Sequence, residues 1–359
     1  MMSLYRNPIK ASSVLAAIMV IAFVPYANAN NVAKFYKGKQ LSMQVGFGAG
    51  GGYDTTTRIV ARHLGKYIPG NPTVVVQNVP GAGSMKLANR IYNSAPKDGS
   101  VLGVFSSSAA MVPLYGKRKA KFVTSKFEWI GSMHSDIMAC GVWNGAGQGI
   151  KTLPDFIEAK TPIIFGSTGV TSPLSTFPLF FKNVLGAKVK VVHGYRGTKG
   201  VSLAMQNGEV NGTCGMFESS VRGAFYSSFK SGKLNLFVQL GTQRNVPLFG
   251  KATNVFTMLK TEEQKQMATL LFGPSEITRP VAAPPGVPKA RVVAIRKALL
   301  DTMKDSGLIA DGKKIKTTFT PMSGADVAAA FAVFYKTPRA LIDKTYNLTI
   351  TKRNQRKKK

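Results

Sequence analysis

Glycine is concentrated at one point in the chain, Gly46-Phe47-Gly48-Ala49-Gly50-Gly51-Gly52-Tyr53-Asp54. Glycine lets a backbone approach a ligand closely. The first N–H groups of a following helix lack intrahelical partners and sit at the positive end of its dipole. Together these features favour an anion, carboxylate as readily as phosphate. The spacing also fits G-x-G-x-x-G, the fingerprint of a dinucleotide site. Against a nucleotide, the second expected strand ends at Gln77-Asn78 and offers no acid for a ribose. Four glycines within 48–52 exceed what a turn needs, so this is read as a ligand loop; a plain strand-to-helix turn is the alternative. Other reactive chemistry is sparse. His63, His134 and His193 stand apart, and no H-E-x-x-H or G-x-S-x-G spacing occurs. Asp136, Glu218 and Glu276 fit no catalytic pattern. The expectation is therefore no catalytic residue, no metal and no cofactor. Cys140 and Cys214 would need Cα atoms within ~7 Å to form a disulfide; two buried free thiols are the alternative.

The elements that position the glycine loop are readable from periodicity. Leu41–Phe47 reads as a strand. A helix follows from about Thr55 to Ile68, with Asp54 as N-cap and Val60, Leu64 and Tyr67/Ile68 on one stripe. Thr73–Val76 reads as a buried parallel strand. Gly83–Ala95 reads as a helix and Val101–Phe105 as the next strand. The pattern restarts after about residue 138. A short helix over Leu153–Ala159 carries Thr152 as N-cap, Ile163–Phe165 is a strand, and Leu174–Leu185 is helical. Val189–Val192 is a strand, Val201–Asn207 a helix, and Gly212–Met216 and Leu234–Leu240 are strands. A late helix from Pro288 aligns Val292, Ile295, Leu299 and Met303, with Gly307 past its end. Alternating strand and helix argue for α/β architecture with parallel sheets.

Composition narrows the function class. The chain has 359 residues, 44% of them hydrophobic, and a net charge of +32 from 48 basic and 16 acidic residues. That is enough apolar content for a real core, so the charge does not signal disorder. A strongly basic balance raises nucleic acid, an anionic surface or a small anion as partners. Arg6 and Lys10 precede an apolar stretch from Val14 to Pro25 and then Ala27-Asn28-Ala29. This has the form of a signal peptide cleaved after Ala29, too short to span a bilayer comfortably; a retained anchor helix is the alternative. Export weakens both the nucleotide and the nucleic-acid readings. Lys352–Lys359 holds six basic groups and no acid, a block expected to be solvated.

An ordered series of motifs resembles one family. Gly50-Gly51-Gly52-Tyr53-Asp54 with Arg58 is similar to the PGGGxD…R opening of the tripartite tricarboxylate transporter substrate-binding proteins, the Bug family. Val74–Gly83 resembles its VVVENRPGAGG, and Ala95-Pro96-Lys97-Asp98-Gly99 its APDGYT. Phe165-Gly166-Ser167-Thr168-Gly169 resembles YGSxG, Gly194–Thr198 PYKGT, Gly208-Glu209-Val210 GGQVD, and Ala283–Pro288 APAGTP. The resemblance runs from about Lys34 to Tyr346. The chain departs from the pattern at Ala49, where proline is usual, and at Tyr53, where threonine is common. Val170–Leu174 lacks the family's frequent histidine, and the basic tail is an addition.

The resemblance implies a two-lobed, type II periplasmic-binding-protein (Venus-flytrap) fold, each lobe a mostly parallel sheet flanked by helices. The lobes are expected at 31–137 plus 251–350 and at 138–250, with the chain crossing twice. The implied function is capture of a small carboxylated anion in the interlobe cleft, and its delivery to one large and one small membrane subunit. The implied ligand residues are Gly48, Ala49, Gly50, Gly51, Gly52, Tyr53 and Asp54, then Ser106, Ser107 and Ser108 in the first lobe. In the second lobe they are Ser167, Thr168, Gly169, Tyr195, Arg196 and Thr198. Ser and Thr hydroxyls can donate to a carboxylate without burying an unpaired charge, and Arg196 can do so bidentately. The expected protein is a periplasmic monomer that binds no nucleic acid. A basic binder of anionic polymer or surface is the alternative, and a cofactor-independent hydrolase a more distant one.

Overall fold

A computed structural model describes residues 24–349, except 51, 117–119, 146–147, 170–171, 196, 243–244 and 316, and except the side chains of 24–29, 197 and 219. The expected leader through residue 23, Gly51, Arg196 and the basic tail lie outside the described residues. The first described element is a helix, Val24–Tyr36, which runs through the expected cleavage point. Its last turns dock firmly: Val32 and Tyr36 are buried, and the Tyr36 hydroxyl donates to the Gly99 carbonyl at 2.9 Å.

Among the described residues, twelve strands make two six-stranded sheets. The first has the order β12-β4-β11-β3-β1-β2: Met322–Ser323, Glu128–His134, Thr278–Ala283, Val101–Val104, Gln40–Val45 and Thr73–Asn78. The second has the order β10-β9-β5-β8-β6-β7: Thr253–Asn254, Leu234–Gln239, Met138–Trp143, Gly212–Phe217, Ile163–Ser167 and Val189–His193. Apolar clusters lie on both faces of each sheet, so each is covered by helices on two sides.

Both sheets are mixed. The βα units read from sequence supply the parallel pairs β1–β2, β1–β3, β6–β7 and β6–β8. The strands that turn back between the halves, β4, β5 and β11, pair antiparallel with their neighbours. β2 is an edge strand, so Val74, Val75 and Val76 are only half-buried instead of fully covered as expected. The helix Gly52–Leu64 starts three residues earlier than expected and ends in a tight turn over Gly65–Tyr67. Asp54 therefore sits in its first turn and is not its N-cap. The late helix, Lys289–Thr302, buries Val292, Ile295 and Leu299 as its spacing predicts. Gly307 falls inside the next helix, Ser306–Lys314, where Asp305 caps the end by accepting from Leu308 N–H at 2.8 Å.

The division at residue 250 is less sharp than expected. β10 pairs with β9 in the second sheet. In the helix Glu262–Phe272, Met267, Ala268 and Phe272 join the second sheet's core while Leu270 joins the first's. The helix Arg339–Thr349 does the same with consecutive residues, Leu341 in one core and Ile342 in the other. A helix lying between two sheets presents opposite flanks to each, and 3.6-residue periodicity places neighbours about 100° apart. Segments 253–272 and 339–349 thus serve both halves. Cys140 on β5 and Cys214 on β8, adjacent antiparallel strands, are joined by a disulfide.

Candidate functional site

The loops after β1, β2 and β3 meet at the carboxyl edge of the first sheet, where open α/β sheets take ligands. Gly46 closes β1 against Ser84: a Cβ at 46 would lie 2.4 Å from the Ser84 Cβ. Ala82, Gly83 and Ser84 all have left-handed backbone, with φ of 47°, 61° and 71°. Two of the three are not glycine, a conformation held only where its surroundings enforce it. Buried Ser84 Oγ accepts the Ser106 N–H at 2.9 Å and lies 3.1 Å from Ser106 Oγ. Ser106 in turn caps the helix Ser107–Met111 by accepting from Ala109 N–H. Sequence reasoning missed Ser84. The signal was present, as four small residues (Gly81-Ala82-Gly83-Ser84) after a strand.

The glycine loop is the most open part of this edge. Gly48, Ala49, Gly50 and Gly52 are exposed. Tyr53 is half-buried, its ring 4.3 Å from that of Phe47. Asp54 is different: it is 2% exposed, and its carboxylate accepts from Gly50 N–H (2.8 Å), Arg58 Nε (2.9 Å) and Asn78 Nδ2 (2.8 Å). These donors, Arg58 foremost, lower its pKa to about 2. Its oxygens are already taken, so Asp54 acts as the anchor that folds the loop back on its helix and ties it to β2. A depressed carboxyl pKa stabilises the fold fully above the ordinary value of 3.8, and the contribution is lost as pH falls toward 2. Asp54→Asn is therefore expected to melt below wild type at pH 6, with the gap closing between pH 4 and pH 2. A gap that stays constant across that range would contradict the anchoring role.

In the second half, Ser167 ends β6 fully buried, and its hydroxyl stays within its own loop, 3.2 Å from the Gly169 carbonyl. The Ser167 carbonyl accepts from Gly194 and Tyr195 N–H, joining the loops after β6 and β7. Thr168 is exposed and Gly169 and Thr198 half-buried. Tyr195 packs over Gly166 and points its hydroxyl at Glu209, 3.3 Å away. Of the first-half serines, Ser107 is buried and Ser108 exposed. The exposed donors among the expected residues are thus concentrated in the glycine loop, Ser108 and Thr168.

A charged group that sequence reasoning missed lies against the glycine loop. Arg279 on β11 is 8% exposed and has left-handed backbone, φ 59°. Its Nε donates to the Gly52 carbonyl at 3.3 Å, and its guanidinium lies 5.6 Å from the Tyr53 ring centroid, within cation–π range. Burial lowers the Arg279 pKa, while the nearby Tyr53 and Asp136 pull it back up. Burial also raises the Tyr53 hydroxyl pKa, and Arg279 opposes that. Asp136, in the crossing between β4 and β5, accepts the Glu218 N–H at 3.3 Å, where β8 ends. The glycine loop thus contacts Arg279, and Asp136, whose charge acts on Arg279 without a direct hydrogen bond, contacts the residue that follows β8.

The histidines are occupied elsewhere. His63 bridges Asp305 (3.0 Å) and Asp311 (3.2 Å), His134 contacts Thr320 Oγ1 at 3.0 Å, and His193 contacts Ser175 Oγ at 3.0 Å. Among the described residues no cluster of three His, Cys, Asp or Glu could hold a metal, and no helix is long and apolar enough to cross a membrane. A concavity of about 410 Å³ beside Ala61, Lys66, Asn71 and Thr73 lies at the amino end of β2, the edge opposite the ligand loops.

No protein-family model matches the chain, and no curated protein matches its sequence. Solved structures do match. A TctC solute-binding protein from Polaromonas aligns with a TM-score of 0.66 at 19% identity, covering 86% of this chain and 99% of that one. The periplasmic binding protein BugD gives 0.60 at 17%, covering 86% and 98%. MatC from Rhodopseudomonas palustris with bound malate gives 0.57 at 17%, covering 87% and 99%. Likeness over nearly the whole length of all three, at such low identity, establishes the architecture: this chain has the two-lobed α/β fold of the TctC and BugD type of periplasmic solute-binding protein.

Proposed function

We propose that this protein is an exported, non-catalytic solute receptor. It captures a small carboxylated anion at the carboxyl edges of its two sheets and delivers it to the large and small membrane subunits of a tripartite transporter. The leader is removed after Ala29, and the receptor works as a periplasmic monomer without cofactor. The observation that carries this reading is the exposed glycine loop, anchored by Asp54 and contacted by buried Arg279, in a fold that in MatC holds malate. Exposed backbone N–H groups and hydroxyls are donors, and a carboxylate is an acceptor only, so the site and the ligand class are complementary.

A ligand that binds only the native state stabilises it by about 2.7 kcal/mol at one hundred times its Kd. Thermal melting across mono-, di- and tricarboxylates should therefore raise Tm for at least one of them. That ligand should be recovered chemically unchanged after prolonged incubation, as judged by NMR. No shift with any carboxylate would refute the receptor reading, and a converted ligand would refute its non-catalytic part.

A further inference from the structure

Arg279 is expensive to keep where it is. A guanidinium is normally exposed or paired, and burying one short of partners opposes folding. The left-handed φ of 59° adds backbone strain for a residue with a β-carbon. Yet among the described residues its Nη1 is buried without a hydrogen-bond partner. Its other two nitrogens are placed by the glycine loop: Nε donates to the Gly52 carbonyl, and Nη2 lies 3.2 Å from where a Gly52 β-carbon would stand. Any side chain at 52 would therefore press on the guanidinium. The helix that begins at Gly52 is 13 residues long, so its N-terminal dipole is fully developed. A positive group with a vacant donor thus lies against a helix end whose own N–H groups also seek an acceptor.

Asp136 does not remove this vacancy. Its charge helps keep Arg279 protonated, but it is engaged with the Glu218 N–H and lies 3.7 Å from His134 Nε2. Tyr53 offers its ring to the guanidinium, which supplies no acceptor for Nη1.

We propose that Arg279 is the charged anchor for a ligand carboxylate, which binds between Nη1 and the first N–H groups of the Gly52–Leu64 helix. This rests on the receptor function proposed above and adds to it a specific recognition group. One consequence follows for ligand choice: the anchored group must carry a full negative charge, so an ester or amide of the same acid binds poorly. Uncharged solutes bring no counter-charge to the guanidinium.

The test uses the full-length mature protein, with Arg279→Gln and Arg279→Lys compared to wild type. Calorimetry with the best carboxylate from the melting screen gives affinity; melting without ligand gives stability. A hydrogen bond to a charged group is worth enough that Arg279→Gln should weaken binding roughly 10- to 150-fold. Arg279→Lys, which keeps charge but loses the planar fork, should fall between. The fully methyl-esterified form of the same acid should bind wild type and Arg279→Gln almost equally. If wild type binds a carboxylate and Arg279→Gln binds it within twofold, the anchor is refuted while the receptor function stands. If Arg279→Gln melts far below wild type but its folded fraction binds normally, Arg279 only balances Asp136, and the anchor is likewise refuted. If wild type binds no carboxylate, both readings fall together.

Discussion

Replacing both Cys140 and Cys214 with alanine is expected to lower unfolding free energy by about 2–5 kcal/mol. The bond joins residues 74 apart in sequence, and cross-linking a loop of that size restricts the unfolded chain strongly. It also pins β5 to β8 where their register shifts between Ala139 and Gly141, a point at which backbone pairing alone is interrupted. Urea titration with and without a thiol reductant checks this. Wild type in reductant should unfold at nearly the same midpoint as the double-alanine variant, and the variant should be insensitive to reductant. A midpoint unchanged by either treatment would show that the bond contributes nothing to stability.

Gly46→Ala is expected to damage stability and binding together. Gly46 is not in a left-handed conformation, so alanine is compatible with its backbone; the obstacle is space. The added methyl would meet Ser84 Cβ at 2.4 Å and Ser84 Cα at 3.1 Å, and the Ser84–Ser106 contact would have to open. Overpacking of this kind costs about 1–3 kcal/mol. Carboxylate affinity should fall at least about tenfold, a loss of about 1.4 kcal/mol, because the loops after β1, β2 and β3 no longer meet. Ser84→Gly in the same chain should recover stability, since it removes the colliding Cβ at a position whose φ of 71° suits glycine, but not full affinity, since it also removes the hydroxyl that accepts the Ser106 N–H. Two single variants whose effects simply add would sink the explanation, because contacting residues should couple.

The parallel halves of both sheets were legible because β1, β3, β6, β7, β8 and β9 are short apolar runs separated by helical periodicity or turn residues. The antiparallel strands were not. β4, β5 and β11 contain Gly131, Gly141 and Pro280, residues that normally weaken a strand assignment. They are also buried on both faces, so they lack the alternation that marks a half-exposed strand. Missing β11 meant missing Arg279, one basic residue among 48 with no motif around it. The glycine loop stands out in the sequence because close backbone approach demands glycine locally. Asp54 reads there as an N-cap, and only the structure reveals that it lies inside the helix and that Gly50, Arg58 and Asn78 converge on its carboxylate. The segments shared between the halves were illegible for a different reason. Leu341 and Ile342 look like ordinary neighbours, and only tertiary packing sends them to different cores.

That last helix sets an order of events on a growing chain. The Asn183 side chain donates to the Leu348 carbonyl, the Tyr115 ring packs tilted against that of Tyr346, and Leu341 completes a core whose other buried members lie between Met138 and Phe272. A polypeptide that emerges from its amino end shows these surfaces long before their cover exists. The second half therefore stays unsealed on one flank until the helix Arg339–Thr349 has emerged. Whatever first meets the nascent protein meets an open apolar seam that this late helix then covers.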